Sequence, residues 1–409
     1  MPLSDKQREY LANCNHRWNI KTGATGSGKT WLDYAVVIPQ RLFALRGEGA
    51  AVILGNTQGT ANRNILEPMR DIWGESLVGT INTQSNSAML FGKRVYVMGA
   101  DNRKHVARIQ GMTIEYAYGD EVATWTEGVF QMLKSRLRCQ HSHFDGTCNP
   151  DSPNHWFKRF IDSGADIFCQ ASTIFDNPFL PPEFVDSLCK EYAGTVYYNR
   201  FILGQWVAAE GVIYRQFCDA PDRFIVDDLP AGDAIRNAVI GVDFGGGTSA
   251  HAFCCVGFSM CGKVVILDDY REKQALDPVR LARDFVDFAR RCKLRWIVTD
   301  CFCDSAEQTL INGLRASCAA AGLGLNIGNS LKRPINDRIR ATCILMGAGR
   351  FLVARSCINT IDALRSALWD SRKLTEDVRL DDGTTNIDSL DAMEYAFERE
   401  IPSLIDSWR

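Results

Sequence analysis

No excess of either charge marks this chain: 46 Lys and Arg stand against 49 Asp and Glu, a net charge of −3. A protein that coats a polyanion by bulk charge is thereby excluded. A local basic track needs no net charge, because patches act over about one Debye length, roughly 10 Å. Long apolar runs are missing too. No run long enough to span a bilayer occurs, and the N-terminus, Met1-Pro-Leu-Ser-Asp-Lys, has no apolar signal core. The expectation is a chain that is neither exported nor membrane-spanning. Internal repeats and low-complexity segments are also absent. The 15 cysteines form no regular framework, and their odd number argues for reduced thiols in a cytosol-like compartment. Cys301-x-Cys303 has no second Cys/His pair at zinc-like spacing.

What is present is ordinary globular composition over 409 residues, 46% hydrophobic and 23% charged. At roughly 150 residues per domain, that length gives two or three domains. Strand-like runs near residues 17–22, 51–55, 94–99, 114–119 and 167–172 alternate with helical patterns near 30–45, 57–73, 126–137 and 183–200. Such alternation predicts a largely parallel sheet covered on both faces. Between about 206 and 235 the pattern is irregular and rich in Pro and Asp. A second block opens at Asn237-Ala-Val-Ile-Gly-Val-Asp243. It continues with two strand-like runs punctuated by Cys261-Gly262, then a helix near 278–292, a strand at Arg295–Thr299 and further strand–helix alternation. The expected division is residues 1–210, a linker 211–235, and 236–409, with a mixed α/β sheet in the last.

The sharpest motif is Gly23-Ala-Thr-Gly26-Ser27-Gly28-Lys29-Thr30, which fits G-x-x-x-x-G-K-[ST] between a strand and a helix. Glycines let backbone N–H groups curl around phosphate oxygens, which side chains would obstruct. Lys29 supplies a point charge at the β/γ-phosphates, Thr30 a hydroxyl to Mg²⁺, and the helix aims its N-terminus at the same anion. Ile114-Glu-Tyr-Ala-Tyr-Gly-Asp120-Glu121 is the matching acidic strand end, with Asp120 for the Mg²⁺ shell and Glu121 to polarise an attacking water. Arg103, Lys104 and Arg108 lie just before it and are candidates for an arginine finger.

A second set of acids follows. Asp243 ends a strand, Asp300 directly follows the predicted strand Arg295–Thr299, and Asp304 lies four residues on. Asp388 and Asp391 share one face if their stretch is helical. Acids that converge cannot all ionise cheaply without cations, and oxygen-only ligands favour Mg²⁺ or Mn²⁺. Two such ions about 3.5–4 Å apart cleave phosphodiesters by in-line attack. A competing reading takes Asp243-Phe-Gly-Gly-Gly-Thr248 as the phosphate hairpin of an actin-like ATPase, although the remaining chain is short for that group's duplicated domains.

Together these residues resemble the large subunit of tailed-phage terminases. Gly26-Ser-Gly-Lys-Thr30 is similar to the family's phosphate loop, and Gln7 falls where members carry an adenine-sensing Gln. Arg108-Ile-Gln-Gly111 before the acidic strand looks like the family's approach to Walker B. Gly146-Thr-Cys-Asn149-Pro150 resembles its coupling motif, with Asn149 sensing the γ-phosphate. Phe175-Asp-Asn-Pro178, Leu203-Gly-Gln-Trp206 and Asp391-Ala-Met-Glu-Tyr395 also look like family signatures. The resemblance implies a P-loop NTPase domain followed by a ribonuclease H-like nuclease domain. It implies ATP with Mg²⁺ at the first site and two Mg²⁺ or Mn²⁺ at the second. Asp243, Asp304 and Asp391 would be the catalytic acids, with Asp300 and Asp388 as rivals for the metals. The implied activity is ATP-driven movement of double-stranded DNA into a procapsid and cleavage of concatemeric DNA. The implied partners are a small terminase subunit and the portal protein. The chain would be a monomer in solution and a ring, of five, on the capsid, working in the host cytoplasm with no membrane attachment. Thr25 stands where many relatives place an in-loop Arg. Lys332, Arg333, Arg338 and Arg340 are candidates for a DNA backbone track. A cellular helicase or repair ATPase, and a packaging motor with a silent nuclease kept for assembly, remain the alternatives.

Overall fold

Two separate seven-stranded sheets organise the computed structural model. It describes residues 2–102, 107, 109–245, 249–273, 277–373, 375–382 and 385–406. The chain divides into two compact units, one built mainly from the chain up to Val185 with Val196–Ala208, the other from Ala209 to Lys373 with Asp186–Thr195 and the C-terminal segment.

In the first unit the strands are β1 (Trp18–Gly23), β2 (Ala50–Gly55), β3 (Ser87–Leu90), β4 (Lys93–Gly99), β5 (Ile114–Gly119), β6 (His143–Cys148) and β7 (Ile167–Ser172). Their order is β3-β4-β2-β5-β6-β1-β7. All neighbours are parallel except the β3–β4 hairpin. Helices on both faces bury the central strands, as a parallel sheet requires. On one side Trp18 packs edge-on against Phe160 with ring centroids 4.9 Å apart and lies 5.5 Å from Phe130. On the other, Ile53, Val97, Leu66 and Met69 meet. Strand β6 is not among the runs expected from the first block. Its sequence, His-Phe-Asp-Gly-Thr-Cys, alternates polar residues into a buried strand. Helix α1 (Asp5–Asn13) opens the unit, with Ser4 and Gln7 forming a reciprocal cap. Helix α2 (Lys29–Leu32) follows β1 and widens into a π turn at Asp33–Val37.

In the second unit the strands are β8 (Ile225–Val226), β9 (Ile235–Asp243), β10 (His251–Ser259), β11 (Val264–Glu272), β12 (Val298–Cys303), β13 (Asn326–Asn329) and β14 (Phe351–Ala354). Their order is β13-β12-β9-β10-β11-β14-β8, with β10 antiparallel to both neighbours and the outer pairs parallel. This mixed sheet is the expected α/β class. Two details differ from the sequence reading. The strand expected at Arg295–Thr299 lies at Val298–Cys303, because the preceding helix runs through Arg295. Part of the stretch read as linker, Ile225–Val226, pairs with β14 as an edge strand. Cys301 and Cys303 are buried in the core of this unit.

Helix α3 spans Ile335–Gly347, and α4 (Ile387–Phe397) covers one face of β9. Contact with α4 is close: a Cβ on Gly241 would sit 1.8 Å from the Ala392 carbonyl oxygen. Gly241→Ala must therefore push α4 off β9. We expect a loss of about 1–3 kcal/mol, as for other overpacked cores, read as a lower midpoint in denaturant. Among the described residues, no helix is long and apolar enough to cross a membrane.

Candidate functional site

The phosphate loop turns between β1 and α2. Gly26 and Gly28 hold positive φ of 74° and 81°, which side chains disfavour. Gly23 has no room for a side chain, since a Cβ there would lie 2.1 Å from the Ser172 carbonyl oxygen. Lys29 is buried at the start of α2, and its Nζ donates to Gly23 O at 3.0 Å, Ala24 O at 2.7 Å, Ser27 Oγ at 3.4 Å and Asn149 Oδ1 at 3.2 Å. All four acceptors are neutral. Burial lowers the Lys29 pKa, against the pull of Glu121 and Asp120. Thr30 follows it, half-buried. Thr25, the position of the missing in-loop Arg, donates its backbone N–H to Phe201 O, and its buried hydroxyl has no partner among the described residues. Arg103, Lys104 and Arg108 lie outside the described residues.

The acidic pair ends β5 beside the loop. Asp120 is buried and accepts from Asn64 Nδ2 at 3.0 Å and Thr147 Oγ1 at 3.2 Å. Burial first, and the neighbouring Glu121 second, push its carboxyl up to about 6. Glu121 sits at φ 50°, ψ 50°, a conformation that costs a non-glycine residue about 1 kcal/mol or more. That geometry lets its N–H donate to Thr147 Oγ1 at 3.3 Å while its Oε2 accepts from the Asn149 N–H at 3.3 Å. Asn149 thus touches both Lys29 and Glu121 from the end of β6.

Gln7 reaches the loop from α1. Its Nε2 donates to Gly28 O at 3.3 Å, and with Pro2, Trp31, Asn177 and Phe179 it lines a cavity of about 170 Å³. Asn177, in the Phe175–Pro178 motif, donates to Gly26 O at 2.6 Å. Trp206, in the Leu203–Trp206 motif, donates its Nε1–H to Thr22 Oγ1 at 3.1 Å. Asn64 and the two aromatic walls are not among the sequence candidates, and no local pattern marks them; Asn177 falls in a motif the sequence singles out, but without a role for its side chain.

In the second unit the register of β9 and β12 puts Asp304 beside Asp243. Cys303 pairs with Val242, and the Asp304 N–H donates to Val242 O at 3.0 Å. Helix α4 brings Asp388 and Asp391 to the same end. The Asp243 carboxyl is held well above its usual range, by burial first and then by Asp391, Asp388 and Asp304. The four carboxyls therefore share one site. Asp300 does not join them. It pairs with Val239, four residues back along β9, and its oxygens accept from Thr299 Oγ1 and Asn326 Nδ2. Its candidacy rests on the misplaced strand end.

Basic side chains hold one oxygen of each neighbouring acid. Lys332 Nζ lies 2.5 Å from Asp304 Oδ1, and Arg271 donates to Asp388 Oδ2 at 3.0 Å. Arg338 and Arg379 donate to Asp391 Oδ1 at 3.1 and 2.6 Å. The same two guanidiniums bind the buried Glu394. Arg338 is thus buried on carboxylates and is unavailable to a DNA track, contrary to expectation. Arg333 Nε donates to Glu398 O, and Arg340 donates to Tyr192 Oη. Among the described residues the bonds to these three acids fall on Asp304 Oδ1, Asp388 Oδ2 and Asp391 Oδ1, and no described group bonds their other oxygens. Among the described residues no three acidic, His or Cys side chains already close on one point at ligand distance.

No curated protein matches the chain. Solved structures do. The large terminase of a thermophilic bacteriophage aligns with a TM-score of 0.80 at 22% identity, covering 97% of this chain and 98% of that one. The complex of that terminase with ATP-gamma-S gives 0.78 at 22%, covering 96% and 98%. Its complex with ADP gives 0.79 at 21%, covering 98% and 99%. At these identities the likeness establishes the fold, a P-loop NTPase unit followed by a ribonuclease H-like unit. Residues 21–218 match the family described as terminase large subunit, T4likevirus-type, N-terminal. That match takes in the phosphate loop, the acidic strand end and Asn149, so this part of the chain is similar to the N-terminal region of terminase large subunits.

Proposed function

We propose that the chain is the ATP-driven motor and the endonuclease of viral DNA packaging. The observation that carries the first activity is the Lys29 ammonium in its ring of loop oxygens, with Asn149 joining it to Glu121. ATP would place its adenine between Trp31, Phe179 and Gln7 and its phosphates on the N–H groups of residues 24–30. Thr30 and Asp120 would hold Mg²⁺. Glu121 would orient and deprotonate the attacking water, and Asn149 would report loss of the γ-phosphate along β6. Two of the similar terminase structures are complexes with ATP-gamma-S and with ADP, which supports this choice of ligand.

For the second activity, Asp243, Asp304, Asp388 and Asp391 would hold two Mg²⁺ or Mn²⁺ through the oxygens their basic partners leave open. Bound there, the cations would supply a hydroxide nucleophile and neutralise charge on the scissile phosphate. Arg271, Arg338, Arg379 and Lys332 fix the directions of the acids beforehand, so less ordering remains to be done on binding. The expected partners are double-stranded DNA, a small terminase subunit and the portal protein, with a ring of copies on the capsid in the host cytoplasm.

Double-stranded DNA should raise ATP turnover by the purified chain. Turnover indifferent to DNA would leave an ATPase without a translocation substrate and would contradict the motor reading.

A further inference from the structure

Strand β1 is buried along its whole length, yet it carries Asn19, Lys21 and Thr22. Lys21 lies two residues before Gly23, and Asp33 lies three residues after Thr30 at the start of the π turn. Across the base of the phosphate loop, Lys21 Nζ meets Asp33 Oδ1 at 2.6 Å, with both side chains almost wholly buried. The Tyr10 ring covers the same ammonium 3.6 Å from its centroid, and Tyr10 Oη donates to Asp145 Oδ1 at 3.2 Å. Arg41 Nε donates to Asp145 Oδ2 at 2.8 Å. Asp145 stands on β6, two residues before Thr147 and four before Asn149.

Four elements around the nucleotide site therefore each send an ionisable group into one largely buried layer. Tyr10 comes from the helix that carries Gln7, Lys21 from β1, Asp33 from the helix that begins with Lys29, and Asp145 from the strand that carries Thr147 and leads into Asn149. The layer balances two cations, Lys21 and Arg41, against two carboxylates. Burial pushes the Asp33 carboxyl up to about 7, with Lys21 pulling it down and Asp145 pushing it further up. Buried pairs of this kind contribute little net stability, because desolvation offsets attraction. Their effect is geometric: breaking one side strands the other charge, so the two arms of the loop are held at one spacing.

We propose that Lys21 and Asp33 are positioning residues, a buried clamp that fixes the phosphate loop in its anion-binding shape, with Tyr10 and Asp145 holding the clamp in place. This rests on the reading of the loop as a nucleotide site. The clamp touches no nucleotide; it acts through the backbone on either side of residues 23–30.

The test replaces the pair by apolar side chains of similar length, Lys21→Met with Asp33→Leu, in the full chain. The thermal midpoint without nucleotide should stay near wild type. Calorimetric affinity for Mg-ATP, and for inorganic tripolyphosphate as a probe of the loop alone, should both fall by about 10-fold or more, the scale of a misplaced binding element. Affinities within about twofold of wild type would overturn the clamp. Should that variant fail to fold, Asp33→Asn keeps the native shape, and the same two affinities decide in the same way. Lys29→Ala separates the two readings. Unchanged ATP binding there rejects the nucleotide site itself. Binding lost there but kept in the clamp variants rejects the clamp alone.

Discussion

Lys29→Ala should lower ATP turnover by at least about 100-fold, the scale of losing one aimed donor in a phosphate site. The loss follows from geometry. Lys29 Nζ is the only side-chain cation the described residues place inside the loop, and it is buried among neutral oxygens. No neighbouring cation among them would compensate there. The variant should stay folded, because the ammonium makes no ion pair with the described residues. Metal-dependent DNA nicking should persist, since the four acids lie on the other sheet. Steady-state hydrolysis with Mg-ATP checks the first expectation and a plasmid assay the second. Wild-type turnover would reject the phosphate-loop assignment.

Asp243→Ala should abolish nicking and leave ATP turnover intact. Asp243 is central to the acidic site: it feels Asp391, Asp388 and Asp304 together, and no hydrogen bond or ion pair among the described residues occupies its carboxyl. Its neighbours each have a basic partner on one oxygen. Loss of a metal ligand removes several kcal/mol of charge stabilisation, a rate loss of about 100-fold or more. Stability should move the other way. A carboxyl whose folded pKa is raised costs stability as pH rises past its unfolded value, and the full cost applies above the folded value. Asp243→Asn, which removes that cost, should raise the melting temperature of the metal-free protein, and the gain should grow as pH rises above the unfolded carboxyl range. A fall in melting temperature would mean that the carboxyls are not in repulsion.

The two sites are unequally legible in the sequence. The phosphate loop is contiguous, its glycines and its lysine being one turn apart, so residue types alone expose its chemistry. The acids come from a strand end, a neighbouring strand end and a helix, and choosing among them requires register. Asp300 is a candidate in sequence because the hydrophobic pattern places the strand three residues early. In the structure it faces Thr299 and Asn326, while Asp304 stands beside Asp243. The basic partners are illegible for a related reason. Arg271 and Asp388 are 117 residues apart, so no local pattern joins them. Arg338 is a candidate for a DNA track in sequence and is buried on Asp391 and Glu394 in the fold. Strand β6 is hidden because Asp145 and Thr147 are polar, and both are satisfied by residues remote in the chain, Arg41 and Asp120. The class of both sheets is readable from hydrophobic alternation, which survives such exceptions.

The central claim is that one chain carries a nucleotide-driven motor and a separate metal-dependent nuclease. It is tested most directly by incubating supercoiled plasmid with the purified chain, with Mn²⁺ or with EDTA, beside Asp243→Ala and Lys29→Ala. The account predicts nicking with Mn²⁺ that EDTA and Asp243→Ala abolish and Lys29→Ala leaves intact. Nicking that survives Asp243→Ala, or that vanishes in Lys29→Ala, would contradict it.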